Sequence, residues 1–123
     1  MTRFSYSILF VRDMSKSVAF YRDRIGLTVR FESPDWSEFE TEGCTLALHK
    51  AAEGSAPPVE DGKIPAGHMH TGFTVDDIDA FAAGMKAAGV AEMRAVRKED
   101  FGGRMGVWLD PDGIPVSVMS IGV

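Results

Sequence analysis

Two stretches of this chain pass through the same order of events 64 positions apart, and that internal repeat restricts the fold more than any other feature. Phe4 to Val11 has strand character and runs into Asp13; His68 to Val75 has the same character and runs into Asp77. Past Asp13, the apolar residues Met14, Val18, Tyr21 and Ile25 recur at helical spacing until Gly26. Past Asp76, read as an N-cap with Asp79 three residues on, Ile78, Ala82 and Met85 repeat that stripe until Gly89. Each half then closes with short strands around a turn, at Thr41-Glu42-Gly43 and at Asp110-Pro111-Asp112-Gly113. Gly113 follows Gly43 by 70 positions, so the second half carries extra residues between its helix and its last hairpin. They fall near Lys98-Glu99-Asp100-Phe101-Gly102-Gly103, expected as a mobile loop.

A β-α-β-β-β unit has a helix on one face of its sheet, and the other face is a wall. The expected fold class is therefore α+β, with two βαβββ modules whose curved mixed sheet surrounds a ligand cavity. The 123 residues form one such domain: module 1 over about 3–50, a linker rich in Pro, Gly, Ala and charge over about 51–67, and module 2 over about 68–123. A net charge of −5 leaves no basic stripe for phosphates, which argues against nucleic acid and anionic membranes as partners. The single cysteine, Cys44, excludes an intramolecular disulfide and reads as a core thiol. With neither a signal-peptide pattern at Met1–Ser7 nor a long apolar run, a cytoplasmic location is expected.

Strand alternation sorts the candidate ligand-binding residues. Tyr6, Ile8 and Phe10 share the face of His70, and Ala47, His49, Ser117 and Met119 share the corresponding face of the last strands. Leu9, Val11, Leu46, Leu48, Phe73, Val75, Val116 and Val118 belong to the helix-packed side. Trp36, Phe101, Met105 and Trp108 complete an apolar wall, their alternative role being core or dimer packing. Arg104 is a candidate clamp for a carboxylate or phosphate, its alternative being a solvated loop residue. Asp35, Glu38, Glu40 and Glu42 read as a solvent-facing edge. His70 has the chemistry of a general base, with a purely structural role as its alternative.

Val11-Arg12-Asp13 followed by Ser17-Val18-Ala19-Phe20-Tyr21-Arg22-Asp23 and Ile25-Gly26-Leu27, then Phe73-Thr74-Val75-Asp76-Asp77-Ile78-Asp79, then Phe101-Gly102-Gly103-Arg104-Met105 leading to Asp110-Pro111-Asp112-Gly113, together resemble the vicinal oxygen chelate superfamily, the glyoxalase/bleomycin-resistance/dioxygenase group. The resemblance spans nearly the whole chain and implies paired βαβββ modules, a homodimer and, in catalytic members, a divalent metal. It places the metal ligands, usually His, Gln or Glu, on the first and last strands of each module. Here those positions are Tyr6, Ala47, His70 and Ser117, only one of them a good ligand. The expectation is a small-molecule-binding protein with a degenerate metal site, no cofactor and an apolar or aromatic ligand. The alternative is a lyase or isomerase related to glyoxalase, using His70 alone or a Zn, Ni, Fe or Mn ion held by His70 with His49 or His68; whether the chain is an enzyme stays open. A structural or regulatory dimer is the third reading.

Overall fold

The computed structural model describes residues 4–53 and 69–121, and the chain divides into two compact units, Met1–Ser55 and Ala56–Val123. His68 and all but the first three residues of the expected linker lie outside the described residues. In the first unit, strand β1 (Tyr6–Val11) leads into helix α1 (Met14–Ala19), a π-helical turn (Phe20–Arg24) and strands β2 (Thr28–Glu32), β3 (Trp36–Glu40) and β4 (Thr45–Lys50). The second unit repeats the order with β5 (Thr71–Thr74), α2 (Ile78–Ala87), β6 (Glu92–Lys98), β7 (Arg104–Leu109) and β8 (Pro115–Ser120). Each unit holds one four-stranded mixed sheet, ordered β1-β4-β3-β2 and β5-β8-β7-β6, with only the β1–β4 and β5–β8 pairs parallel. This is the two-module βαβββ fold that the repeat predicts.

Register survives the duplication. Tyr6 stands opposite Thr45 and Ile8 opposite Ala47, while in the second unit Gly72 stands opposite Ser117. The extra residues of the second half are absorbed before β8. Strands β6 and β7 are longer than β2 and β3, their pairing carries two register shifts, and five residues join them where three join β2 to β3. The expected mobile loop is accordingly a hydrogen-bonded hairpin turn: Glu99 N–H donates to the Gly103 carbonyl at 2.8 Å and Gly102 N–H to the Glu99 carbonyl at 3.1 Å. Arg97 Nε also donates to Glu99 Oε1 at 3.2 Å.

The helices form where the apolar stripes are and are capped by side chains. Asp13 Oδ1 accepts from Lys16 N–H, and Asp77 Oδ1 accepts from Ala80 N–H. The second cap is thus Asp77 and not Asp76, a one-residue correction that keeps the 64-residue repeat intact. The reason is backbone conformation: Asp77 is the last extended residue, at φ −129°, so its carboxylate sits over the first free N–H groups of α2. Asp77→Ala is expected to lose about 1 kcal/mol of stability and Asp76→Ala almost nothing, measured by urea denaturation.

Helix α1 has only six residues because its hydrogen bonding changes at Phe20: Ile25 N–H reaches back five residues to the Phe20 carbonyl at 3.1 Å. Gly26, at φ +94°, then turns the chain into β2, and Gly89, at φ +72°, does the same after α2. Helix α1 packs on β3 and β4, burying Met14 and Val18, and the π-helical turn buries Phe20 and Tyr21, alongside Val11, Phe39, Leu46 and Leu48. Helix α2 packs on β6, β7 and β8, burying Ile78 and Met85 with Trp108, Val116 and Val118. Each sheet therefore has a helix-packed face and a helix-free face. Among the described residues no helix is long and apolar enough to cross a membrane.

Candidate functional site

On the helix-free face of the first sheet, cross-strand pairing brings most of the expected residues together. Phe10 stands opposite His49, His49 opposite Trp36, and Ala47 opposite Glu38, so one row of side chains crosses β1, β4 and β3. The Phe10 and His49 rings lie 5.2 Å apart, and Trp36 meets His49 edge-on at 5.9 Å. Tyr6 and Phe10, at the two ends of one strand face, are 58% and 59% exposed, unusual for two aromatics of one strand. His49 Nδ1 lies 2.7 Å from the Lys50 carbonyl, and since a carbonyl only accepts, Nδ1 carries the proton.

Beside this row is a concavity of about 420 Å³ lined by Ser5, Tyr6, Arg30, Trp36, Glu38, Thr45 and Ala47. Its polar end was not visible in the sequence. Glu38, expected on a solvated edge, is half-buried and fully engaged: Trp36 Nε1–H donates to Oε2 at 2.8 Å, while Arg30 Nε and Nη2 donate to Oε1 at 3.1 and 2.7 Å. Arg30 Nη2 also donates to Thr45 Oγ1 at 3.1 Å. A register shift between Val29 and Phe31 creates this arrangement. Simple alternation would pair Arg30 with Glu38 and send Phe31 to the core; the bulge pairs Phe31 with Glu38 and leaves both Arg30 and Phe31 exposed.

The indole N–H first, and then the Arg30 guanidinium, hold the Glu38 carboxyl below the usual carboxylate range. A folded pKa below the unfolded one gives stability that is complete above the unfolded value, roughly pH 4.3, and is lost as pH falls through the folded value. Glu38→Gln is therefore expected to lower stability by about 0.5–1 kcal/mol at pH 7. The gap to the parent protein should close as the pH falls through the folded value, as read by thermal denaturation across pH.

In the second unit, His70 Nε2 lies 3.2 Å from Ser117 Oγ, so the two residues that the repeat offsets single out do meet. Ser117 shares its sheet face with Val107, and Met119 with Met105. Phe101 is 58% exposed in the β6–β7 turn. The expected wall residue Trp108 and the candidate clamp Arg104 are placed elsewhere. Trp108 pairs with Val116 on the helix-packed face, is 1% exposed and meets Phe81 of α2 edge-on at 5.3 Å. Arg104 has the same parity on β7 and donates to Asp79 Oδ2 of α2 at 2.8 Å, so its guanidinium is held by a carboxylate of its own chain. Both placements have one cause: even-numbered residues of β7 face the helix.

The metal that the resemblance implies finds no donor set at these positions. Ala47 has no donor atom, Ser117 offers a neutral hydroxyl, and Tyr6 is a poor ligand when protonated. Glu38, the carboxylate opposite Ala47 on the helix-free face, is neutralised by Arg30. Among the described residues no three His, Cys, Asp or Glu side chains cluster.

A family model described as Glyoxalase/Bleomycin resistance protein/Dioxygenase superfamily matches residues 3–118. Among solved structures, a protein of unknown function from Agrobacterium tumefaciens str. C58 is 27% identical, with a TM-score of 0.78 and 98% of this chain and 94% of that one covered. A glyoxalase/dioxygenase from Nostoc punctiforme is 21% identical, with a TM-score of 0.83 over 98% and 92% of the two chains. A lactoylglutathione lyase from Agrobacterium tumefaciens is 23% identical, with a TM-score of 0.74 over 98% and 94%. No functionally curated protein matches the chain.

Proposed function

The chain belongs to the Glyoxalase/Bleomycin resistance protein/Dioxygenase superfamily, and on that premise we propose that it is a small-molecule-binding member working without a metal, as a homodimer, on an apolar or aromatic ligand. The observation that carries this reading is the helix-free face of module 1. Exposed Tyr6 and half-buried Trp36 line a concavity of a size suited to a two-ring ligand, Ile8, Phe10 and His49 share their sheet face, and among the described residues no group of metal ligands accompanies them. Ligand binding would bury rings that water now covers, which is favourable at roughly 25 cal/mol per Å² of apolar area. The test is titration of the pure protein with naphthalene-sized aromatics, followed by Trp36 emission and calorimetry, together with elemental analysis of protein purified without chelators. Saturable binding by metal-free protein supports the reading; stoichiometric Zn, Ni, Fe or Mn that is lost in His70→Ala overturns it.

The contact between His70 Nε2 and Ser117 Oγ favours a second reading, a lyase or isomerase in which His70 moves a proton. Turnover of a hemithioacetal that is lost in His70→Ala but kept in Trp36→Ala would select it over the first.

A further inference from the structure

We infer that Arg30 is the oxygen-recognising group of the module 1 concavity and that the ligand is an uncharged planar aromatic bearing a carbonyl or similar acceptor oxygen; this rests on the binding function proposed above. A guanidinium has five N–H groups in a fixed plane. In Arg30 one on Nε and one on Nη2 are spent on Glu38 Oε1, and Nη2 uses its other on Thr45 Oγ1. The two on Nη1 have no partner among the described residues, and by the planar geometry of the group they point away from Glu38. Arg30 lines the concavity, and its side chain is half exposed. Glu38 and Thr45 fix the guanidinium, so a ligand oxygen meets donors whose orientation is already set.

Charge selects the class of oxygen. The Arg30–Glu38 pair is neutral as a unit, and the whole chain carries −5. A ligand carboxylate on Nη1 would lie close to the Glu38 carboxylate, and that repulsion offsets the attraction of the guanidinium. A neutral carbonyl keeps the charge-assisted hydrogen bond without the repulsion. The bordering rings, Tyr6 and Trp36, supply the flat apolar surface for the aromatic part. Arg30 thereby stands as a fixed cation beside Ala47, on the face where the family resemblance calls for a metal.

The test compares three soluble probes of one shape: 2-acetylnaphthalene, 2-ethylnaphthalene and 2-naphthoate. The parent protein is expected to bind the acetyl compound about tenfold or more tightly than the ethyl compound and no less tightly than the naphthoate. Arg30→Met should abolish the acetyl-over-ethyl preference, and Arg30→Lys should not restore it, because a lysine paired with Glu38 offers no second donor pair in a fixed plane. Nitrogen-15 NMR of the unsubstituted protein gives the readout that needs no variant: the Arg30 guanidinium signals should shift with 2-acetylnaphthalene and not with 2-ethylnaphthalene. Equal affinities for the acetyl and ethyl probes, or tightest binding of the naphthoate, would overturn the assignment and leave the binding function standing. If none of the three binds, the binding function itself fails.

Discussion

Trp108→Ala is expected to destabilise the protein by about 3–5 kcal/mol and to lower its melting temperature by roughly 10–20 °C. The indole is 1% exposed and is held on two sides, by Phe81 of α2 edge-on and by the backbone of Gly106 in its own strand. A methyl group at position 106 would come within 2.8 Å of the Trp108 ring, so the glycine is the space the indole occupies. Removing the ring leaves a cavity between α2 and the sheet that the surrounding strand backbones cannot close, because their hydrogen bonds fix them. A domain of this size has only about 5–15 kcal/mol in total, so the variant stands near the limit of folding. Phe101→Ala is the control: its exposed ring is expected to change stability by about 0.5 kcal/mol or less. A loss under about 1 kcal/mol for Trp108→Ala, measured by circular dichroism on heating, would place the indole outside the core and return it to the ligand wall.

Trp36→Ala is expected to weaken binding of 2-acetylnaphthalene by about 10–100-fold at a cost of only about 1 kcal/mol in folding. Trp36 is half-buried and contributes twice to the concavity: its ring is a wall, and its N–H fixes one oxygen of Glu38. Losing the ring removes stacking area; losing the N–H releases the carboxylate that orients Arg30. Trp36→Phe separates the two, since it keeps a wall and deletes the donor. Its affinity should fall between those of the parent and the alanine variant, and its Glu38 carboxyl should titrate closer to an ordinary carboxylate. An unchanged dissociation constant in Trp36→Ala, with the fold intact, would remove the module 1 face from consideration as the ligand site.

These two tryptophans show where a sequence stops being informative. Both sit in strands with aromatic and apolar neighbours, and both were reasonable wall residues. What separates them is parity. Trp36 is opposite His49 on the helix-free face, and Trp108 is opposite Val116 on the helix-packed one. Parity propagates along a strand from a single reference point, and each bulge between that point and the residue shifts it by one. Strand β2 carries one such shift, between Val29 and Phe31, whereas the two in the β6–β7 pairing cancel in parity. No residue pattern announces a bulge or fixes the parity of β7, so the sequence leaves Trp108 between wall and core and reads Glu38 as part of a solvent-facing edge.

By itself the sequence determined the duplication, the strand and helix order of both modules, the glycines that end both helices, and the absence of metal-ligating chemistry at Ala47 and Ser117. Those are local or periodic properties: they follow from residue type, from spacing and from a constant offset between two halves. Tertiary structure alone decided that Glu38 is a hydrogen-bonded carboxylate and that Arg104 is spent on Asp79. Each of these joins residues on different strands or helices, and the bulges that set their register arise from how whole strands fit together, which no stretch of sequence encodes alone.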